Sequence, residues 1–175
     1  MGTKKKTRLC EHCRQRFVPS HAAHKRVKCP FCHQWTQKPR TLSQWDKEVD
    51  GLFGKLVRFV WEPNQPCCSC GQKLKSEHAD CGHYMRREFR ATRLMRENCH
   101  PQCKSCNGGF GRNFWSENIN VHNDYRKWMV EKYGDERVCE IEALAHSGAK
   151  RPTVPEYREL AAQFRVELEH HGIIA

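Results

Sequence analysis

Long apolar runs are missing from this chain. Its 175 residues are 38% hydrophobic and its mean hydropathy is −0.88. No stretch approaches the roughly 20 apolar residues that a spanning helix needs, so no membrane partner is expected. Acid is missing from the start: residues 1–40 hold eleven Lys/Arg against the single acid Glu11. A secretory signal is missing too, because Met1 to Arg8 is basic and polar with no apolar region. Low-complexity tracts and internal repeats are absent, apart from two similar cysteine units. These absences predict a cytoplasmic protein with a thin core, in one modest domain or two very small ones.

Cysteine is what the chain has in excess. Twelve are present, and eight fall in four C-x2-C pairs. In a chain without an export signal, such pairs point to reduced thiolates on metal rather than disulfides. Two pairs can give four thiolates to one tetrahedral zinc. Cys10, Cys13, Cys29 and Cys32 then form one structural Zn2+ site, spaced like a zinc ribbon, with short strands near Phe17, Val18 and Val27. Cys67, Cys70, Cys103 and Cys106 form a second. His12, His21, His24 and His33 are left as surface residues. Cys81 and Cys99 are not assigned to metal. Cys68 and Cys139 read as a spare thiol and a buried small hydrophobe.

The expected organisation is a basic N-terminal ribbon over 1–40 and a second domain over 41–175. The second domain opens with a helix over 43–60, where Leu42, Trp45, Val49, Leu52, Phe53, Leu56, Phe59 and Val60 recur at helical spacing. Ser43 is its N-cap, and Pro63 and Pro66 end it. Gly51 and Gly54 weaken that helix or let something approach it closely. A zinc-held core follows over 66–115, then helices over 118–172. Tyr125, Trp128, Met129 and Tyr133 form one stripe, stopped by Gly134. Val138, Ile141 and Leu144 form another. Tyr157, Leu160, Phe164 and Leu168 mark a last helix, capped by Thr153 and with Gly172 near its end. The fold class is α+β, mostly helical.

Charge is focused on the cysteine-rich segments. Residues 81–115 carry seven Lys/Arg against two acids, whereas the tail from Ser116 carries eight against eleven. That focusing suggests a polyanion partner, most simply nucleic acid. Arg86, Arg87, Arg90, Arg93, Arg96 and Lys104 are the candidate contacts in the second unit, and Lys25, Arg26 and Lys28 in the ribbon. The ribbon either docks nucleic acid or only stabilises the N-terminus.

The polar residues held between the second pair of knuckles carry the candidate chemistry. Hydrolysing a phosphodiester needs an activated water, neutralised phosphate charge and help for the leaving oxygen. A neutral histidine, His83, can activate the water. A hard divalent cation, Mg2+ or Mn2+, prefers oxygen ligands such as Asp80 and the amide oxygen of Asn107. Asn98 can bond to backbone near His83 and fix its orientation. His100 reads as a supporting or phosphate-contacting residue.

These residues carry a resemblance. Pro66-Cys67-x2-Cys70-Gly71, Asp80-x-Gly82-His83-Tyr84 and Asn98-x-His100-x2-Cys103-x2-Cys106-Asn107, with Asn113 six residues beyond, resemble the NinG (Rap) family of phage recombination endonucleases. That family lies within the HNH, or His-Me (ββα-metal), finger nucleases. The resemblance implies a treble-clef-like ββα-metal core, with His83 as general base and Asn98 positioning it. It implies a catalytic divalent cation on Asn107, with Asp80 and Asn113 as further ligands. In many relatives the ligating acid directly precedes the histidine; here two residues intervene. The implied activity is metal-dependent cleavage of branched DNA in the bacterial host cytoplasm, possible for a homodimer. Two other readings stand beside it: a non-catalytic zinc module that binds nucleic acid, and a sequence-specific HNH nuclease of homing or restriction type.

Overall fold

A computed structural model describes residues 7–19, 26–37, 39–108 and 117–174. The chain divides into two compact units, Met1–Thr41 and Leu42–Ala175.

The first unit is two small hairpins. β1 (Arg8–Leu9) pairs antiparallel with β2 (Arg16–Phe17), and β3 (Arg26–Lys28) with β4 (Trp35–Gln37). Each hairpin turns on a cysteine pair. The amide of Cys10 donates to Gln15 O (2.9 Å) and that of Arg14 to Cys10 O (2.9 Å); Cys29, Gln34 and His33 repeat the pattern at 2.8 and 3.0 Å. The residue after the second cysteine is left-handed in both turns, Arg14 at φ 61° and His33 at φ 58°. The core of this unit is Cys10, Phe17, Val27 and Cys29. Val18, expected in a strand with Phe17, lies just past the end of β2 and is exposed, as adjacent residues on an extended chain face opposite ways.

The second unit begins with α1 (Leu42–Lys55), which widens into a π-helical turn over Leu56–Trp61. Ser43 lies inside the first turn of α1 rather than before it. At the widened turn the Glu62 amide reaches Val57 O (3.0 Å). Arg58 folds back there, its Nε donating to Gly54 O (2.8 Å) and its guanidinium to Ala79 O (3.0 Å). The third cysteine pair then repeats the ribbon turn: Cys67 N to Gln72 O and Gly71 N to Cys67 O, both 2.8 Å. Glycine fills the left-handed position here, at φ 70°, where it costs least.

A hairpin follows. β5 (Asp80–His83) pairs with β6 (Cys99–Gln102) in the register Asp80↔Gln102, Cys81↔Pro101, Gly82↔His100 and His83↔Cys99. β6 runs into α2 (Lys104–Gly108), whose start carries the fourth cysteine pair. α3 (Glu117–Tyr133), α4 (Asp135–Ala145) and α5 (Val154–His170) complete the unit. Gly134, at φ 84°, separates α3 from α4. Glu156 reaches back to the Thr153 amide (2.6 Å), making a capping box at the start of α5.

Two of the apolar clusters in this unit join helix to helix. α1 packs on α5 through Val49, Leu52, Leu56, Tyr157, Ala161 and Leu168. Tyr125 and Met129 of α3 meet Val138 and Ile141 of α4, with Tyr84 and Cys68. Ala145, not Leu144, completes the α4 stripe; Leu144 is 42% exposed. Cys68 is thus a buried hydrophobe, and Cys139 is the exposed thiol. The chain is a mixed α+β protein, about half helical, and among the described residues no helix is long and apolar enough to cross a membrane.

Candidate active centre and metal sites

Both predicted cysteine quartets come together. In each, all four sulfurs lie within 4.8 Å of one another. Four sulfurs about 2.3 Å from a tetrahedral zinc stand about 3.8 Å apart. The observed separations fit that edge: Cys10–Cys32 3.5 Å, Cys13–Cys29 3.7 Å and Cys70–Cys103 3.9 Å. The backbone supports the thiolate form, since Cys103 N donates to Cys67 Sγ (3.3 Å) and Cys106 N to Cys103 Sγ (3.4 Å). Burial pushes the Cys67 thiol up, but the amides of Cys103, Cys70 and Ser69 outweigh it and hold it below its ordinary value. Either quartet can therefore hold a zinc ion, and the quartet of the second unit brings together a turn, a hairpin and a helix start.

His83 ends β5, half-buried. Its Nε2 lies 3.0 Å from Arg93 O. A carbonyl oxygen only accepts, so Nε2 carries the proton and Nδ1 keeps the lone pair. Burial, and then the nearby Arg87 charge, lower its pKa to about 4. The imidazole is therefore neutral across the physiological range.

Asn98 is fully buried and shapes the segment that holds His83. Its Oδ1 accepts from Met85 N (2.7 Å), and its Nδ2 donates to Met85 O and Thr92 O (both 3.0 Å). It thus pins both ends of the loop between Tyr84 and Arg93, and the far end of that loop supplies the carbonyl that His83 meets.

Asp80 and Asn107 also come together, Asn107 Nδ2 donating to Asp80 Oδ2 at 3.2 Å. They do not join His83. Side chains alternate along a strand, so Asp80 and Gly82 face one way and Cys81 and His83 the other. The neighbours agree: a β-carbon added at Gly82 would strike Gln102, whereas one added at Gly54 of α1 would lie 3.4 Å from the Cys81 β-carbon. Asp80 therefore leaves β5 on the face opposite to His83, with Asn107 beside it. Asn113 lies outside the described residues.

The arginine run divides. Arg86, Arg87 and Arg96 are exposed, as are Lys104, Arg26 and Lys28. Arg96 lies over the Trp61 ring at 5.1 Å. Lys25 lies outside the described residues. Arg93 leaves the nucleic-acid set. It is 9% exposed and bonds into α1, with Nε 3.0 Å from Asp50 Oδ1 and NH1 2.9 Å from Asp46 Oδ1. Arg90 is half-buried, 3.8 Å from Asp46.

Of the two roles expected for His100, supporting or phosphate-contacting, its burial leaves the supporting one. It has no exposed surface. Its Nδ1 donates to both oxygens of Glu62 at 2.9 Å, and Trp128 packs edge-on at 4.5 Å. Lys132 of α3 pairs with the same Glu62. Burial opposes ionisation of Glu62, yet the His100 bond and Lys132 hold its carboxyl below the usual range. Nothing in the sequence spacing links these three residues.

A model described as the bacteriophage lambda NinG protein matches residues 32–171. The chain belongs to that NinG family. No curated protein and no solved structure matches it.

Proposed function

We propose that this protein is a metal-dependent endonuclease of the His-Me finger type, acting on branched DNA during phage recombination. Membership of the NinG family supports the recombination role. The knuckle, hairpin and helix start around one cysteine quartet support a treble-clef-like centre. The observation that carries the reading is His83: a neutral imidazole with Nε2–H fixed on the Arg93 carbonyl and Nδ1 left as acceptor.

In this reading His83 Nδ1 takes the proton from the water that attacks phosphorus, while a phosphorus–oxygen bond breaks on the far side. Asn98 is a positioning residue that acts through the loop. Arg86, Arg87 and Arg96 hold phosphates, giving affinity but no sequence preference. Magnesium or manganese supplies charge neutralisation when bound.

The test is incubation of the zinc-loaded protein with a synthetic four-way junction, a flap and a linear duplex, each with and without magnesium or manganese. Cleavage should favour the branched substrates and need the cation. His83→Ala should lose about 10²–10⁴ in rate, with zinc content and DNA affinity kept. Cleavage of junctions by His83→Ala at the wild-type rate would sink this reading, as would binding without cleavage in every metal.

A further inference from the structure

One face of the hairpin gathers three metal-binding side chains that no knuckle uses. Cys81 and His83 are two residues apart on β5, and Cys99 stands directly across from His83 on β6. A sulfur from each cysteine and a ring nitrogen of His83 all lie within 4.8 Å of one another. The surroundings are dry on the cysteine side, where Phe53 and Val57 pack against both thiols. Gly54 leaves Cys81 its room, because any β-carbon there would already be in contact with it. His83 alone reaches the surface, so the cluster has one open side.

We propose that Cys81, Cys99 and His83 form a third zinc site, and that zinc bound there switches off His83. Two thiolates and an imidazole select zinc over magnesium or manganese. Three protein ligands leave the fourth tetrahedral position open, unlike the closed quartets. A neutral imidazole has one lone pair. Whichever nitrogen takes the metal, the other carries the proton, and no base remains. The switching half rests on the reading of His83 as general base; the metal half does not.

The test starts from protein with both quartets filled by zinc, titrated with cobalt(II) as a visible probe. One further equivalent should bind, with thiolate-to-cobalt absorption. Cys81→Ser and Cys99→Ala should each keep two zinc ions per chain and lose that equivalent. Absence of a third equivalent in the wild type, or its persistence in Cys99→Ala, overturns the site. In the junction assay, one extra equivalent of zinc should suppress cleavage at least tenfold in the wild type and leave Cys99→Ala uninhibited. Unchanged cleavage by a wild type that holds the third ion overturns the switch. If nothing cleaves while the third equivalent binds, the site stands and the nuclease reading alone falls.

Discussion

Gly82→Ala tests the packing behind the candidate base. Gly82 is not in a left-handed conformation, so only space is at stake. An added β-carbon would sit 2.4 Å from Gln102 Oε1, 2.8 Å from its Cβ and 3.0 Å from its Cδ. The amide end can swing away, but Cβ moves only with the backbone of β6. Swinging away also breaks the 2.7 Å bond from Gln102 Nε2 to Ser69 Oγ, and Gln102 is only 4% exposed. Overpacking costs about 1–3 kcal/mol, and the broken hydrogen bond about 1 kcal/mol. Replacing glycine in a strand returns about 0.5–1 kcal/mol. The net expectation is a loss of about 1–3 kcal/mol. Urea denaturation followed by circular dichroism, at fixed free zinc, reads it directly. Gly82→Ala combined with Gln102→Ala should be less destabilised than the two single changes added together, because truncation removes two of the three clashing atoms. A neutral or stabilised Gly82→Ala refutes this packing and the strand register with it.

Arg93→Ala should destabilise the second unit by about 1–3 kcal/mol, because it takes both guanidinium bonds from the half-buried Asp50 and one from Asp46, which keeps Arg151 and Tyr157; the triple change of Arg86, Arg87 and Arg96 to Ala should leave the urea midpoint unchanged. That same triple variant should weaken binding to every DNA shape and lower the salt slope by about one unit for each phosphate no longer neutralised, as filter binding across a salt series would show. Cys103→Ser should lose one zinc per chain by metal analysis, together with the far-UV signal of the second unit, since the thin core does not hold the hairpin unaided. His83 has a folded pKa near 4, below its unfolded value of about 6.5. The unfolded chain therefore binds the extra proton between those values, and stability should fall as pH drops from about 6.5 towards 4. His83→Gln should flatten that part of the profile in protein holding only its two quartet zincs; an unchanged slope assigns the proton elsewhere.

What the residues reveal by themselves is local. A C-x2-C pair followed by Gly71 announces its turn because ligand spacing and backbone handedness lie within six residues. Tyr125 and Met129 announce a buried face by period alone, and Asn98 reads as a backbone-bonding residue next to the histidine. The misread charged and polar residues are ones whose partners are distant. Arg93 has the same letter as Arg86, but Asp46 and Asp50, more than forty residues earlier, draw it inward. His100 is claimed by Glu62 and Lys132 from two other elements. Alternation itself is legible: on any strand, residues three apart face opposite ways, so Asp80 and His83 part company while Cys81 sides with His83. Placing Cys99 beside them needed the register, which no single strand contains.

The pairing of α1 with α5 sets a timetable for the nascent chain. Lys55 leaves the ribosome about one hundred residues before Val154, an interval of roughly 5–20 s at ordinary synthesis rates. Throughout it, Val49, Leu52 and Leu56 have no helix to cover them. The hairpin and its cysteine quartet are complete by Cys106, about halfway through that wait, and its Cys81–Cys99 face then offers shelter to Phe53 and Val57. Metal capture thus acts as a holding device for half of α1, while the other half stays sticky until α5 arrives. A nonsense codon before residue 154 should accordingly yield inclusion bodies rather than a shorter soluble protein.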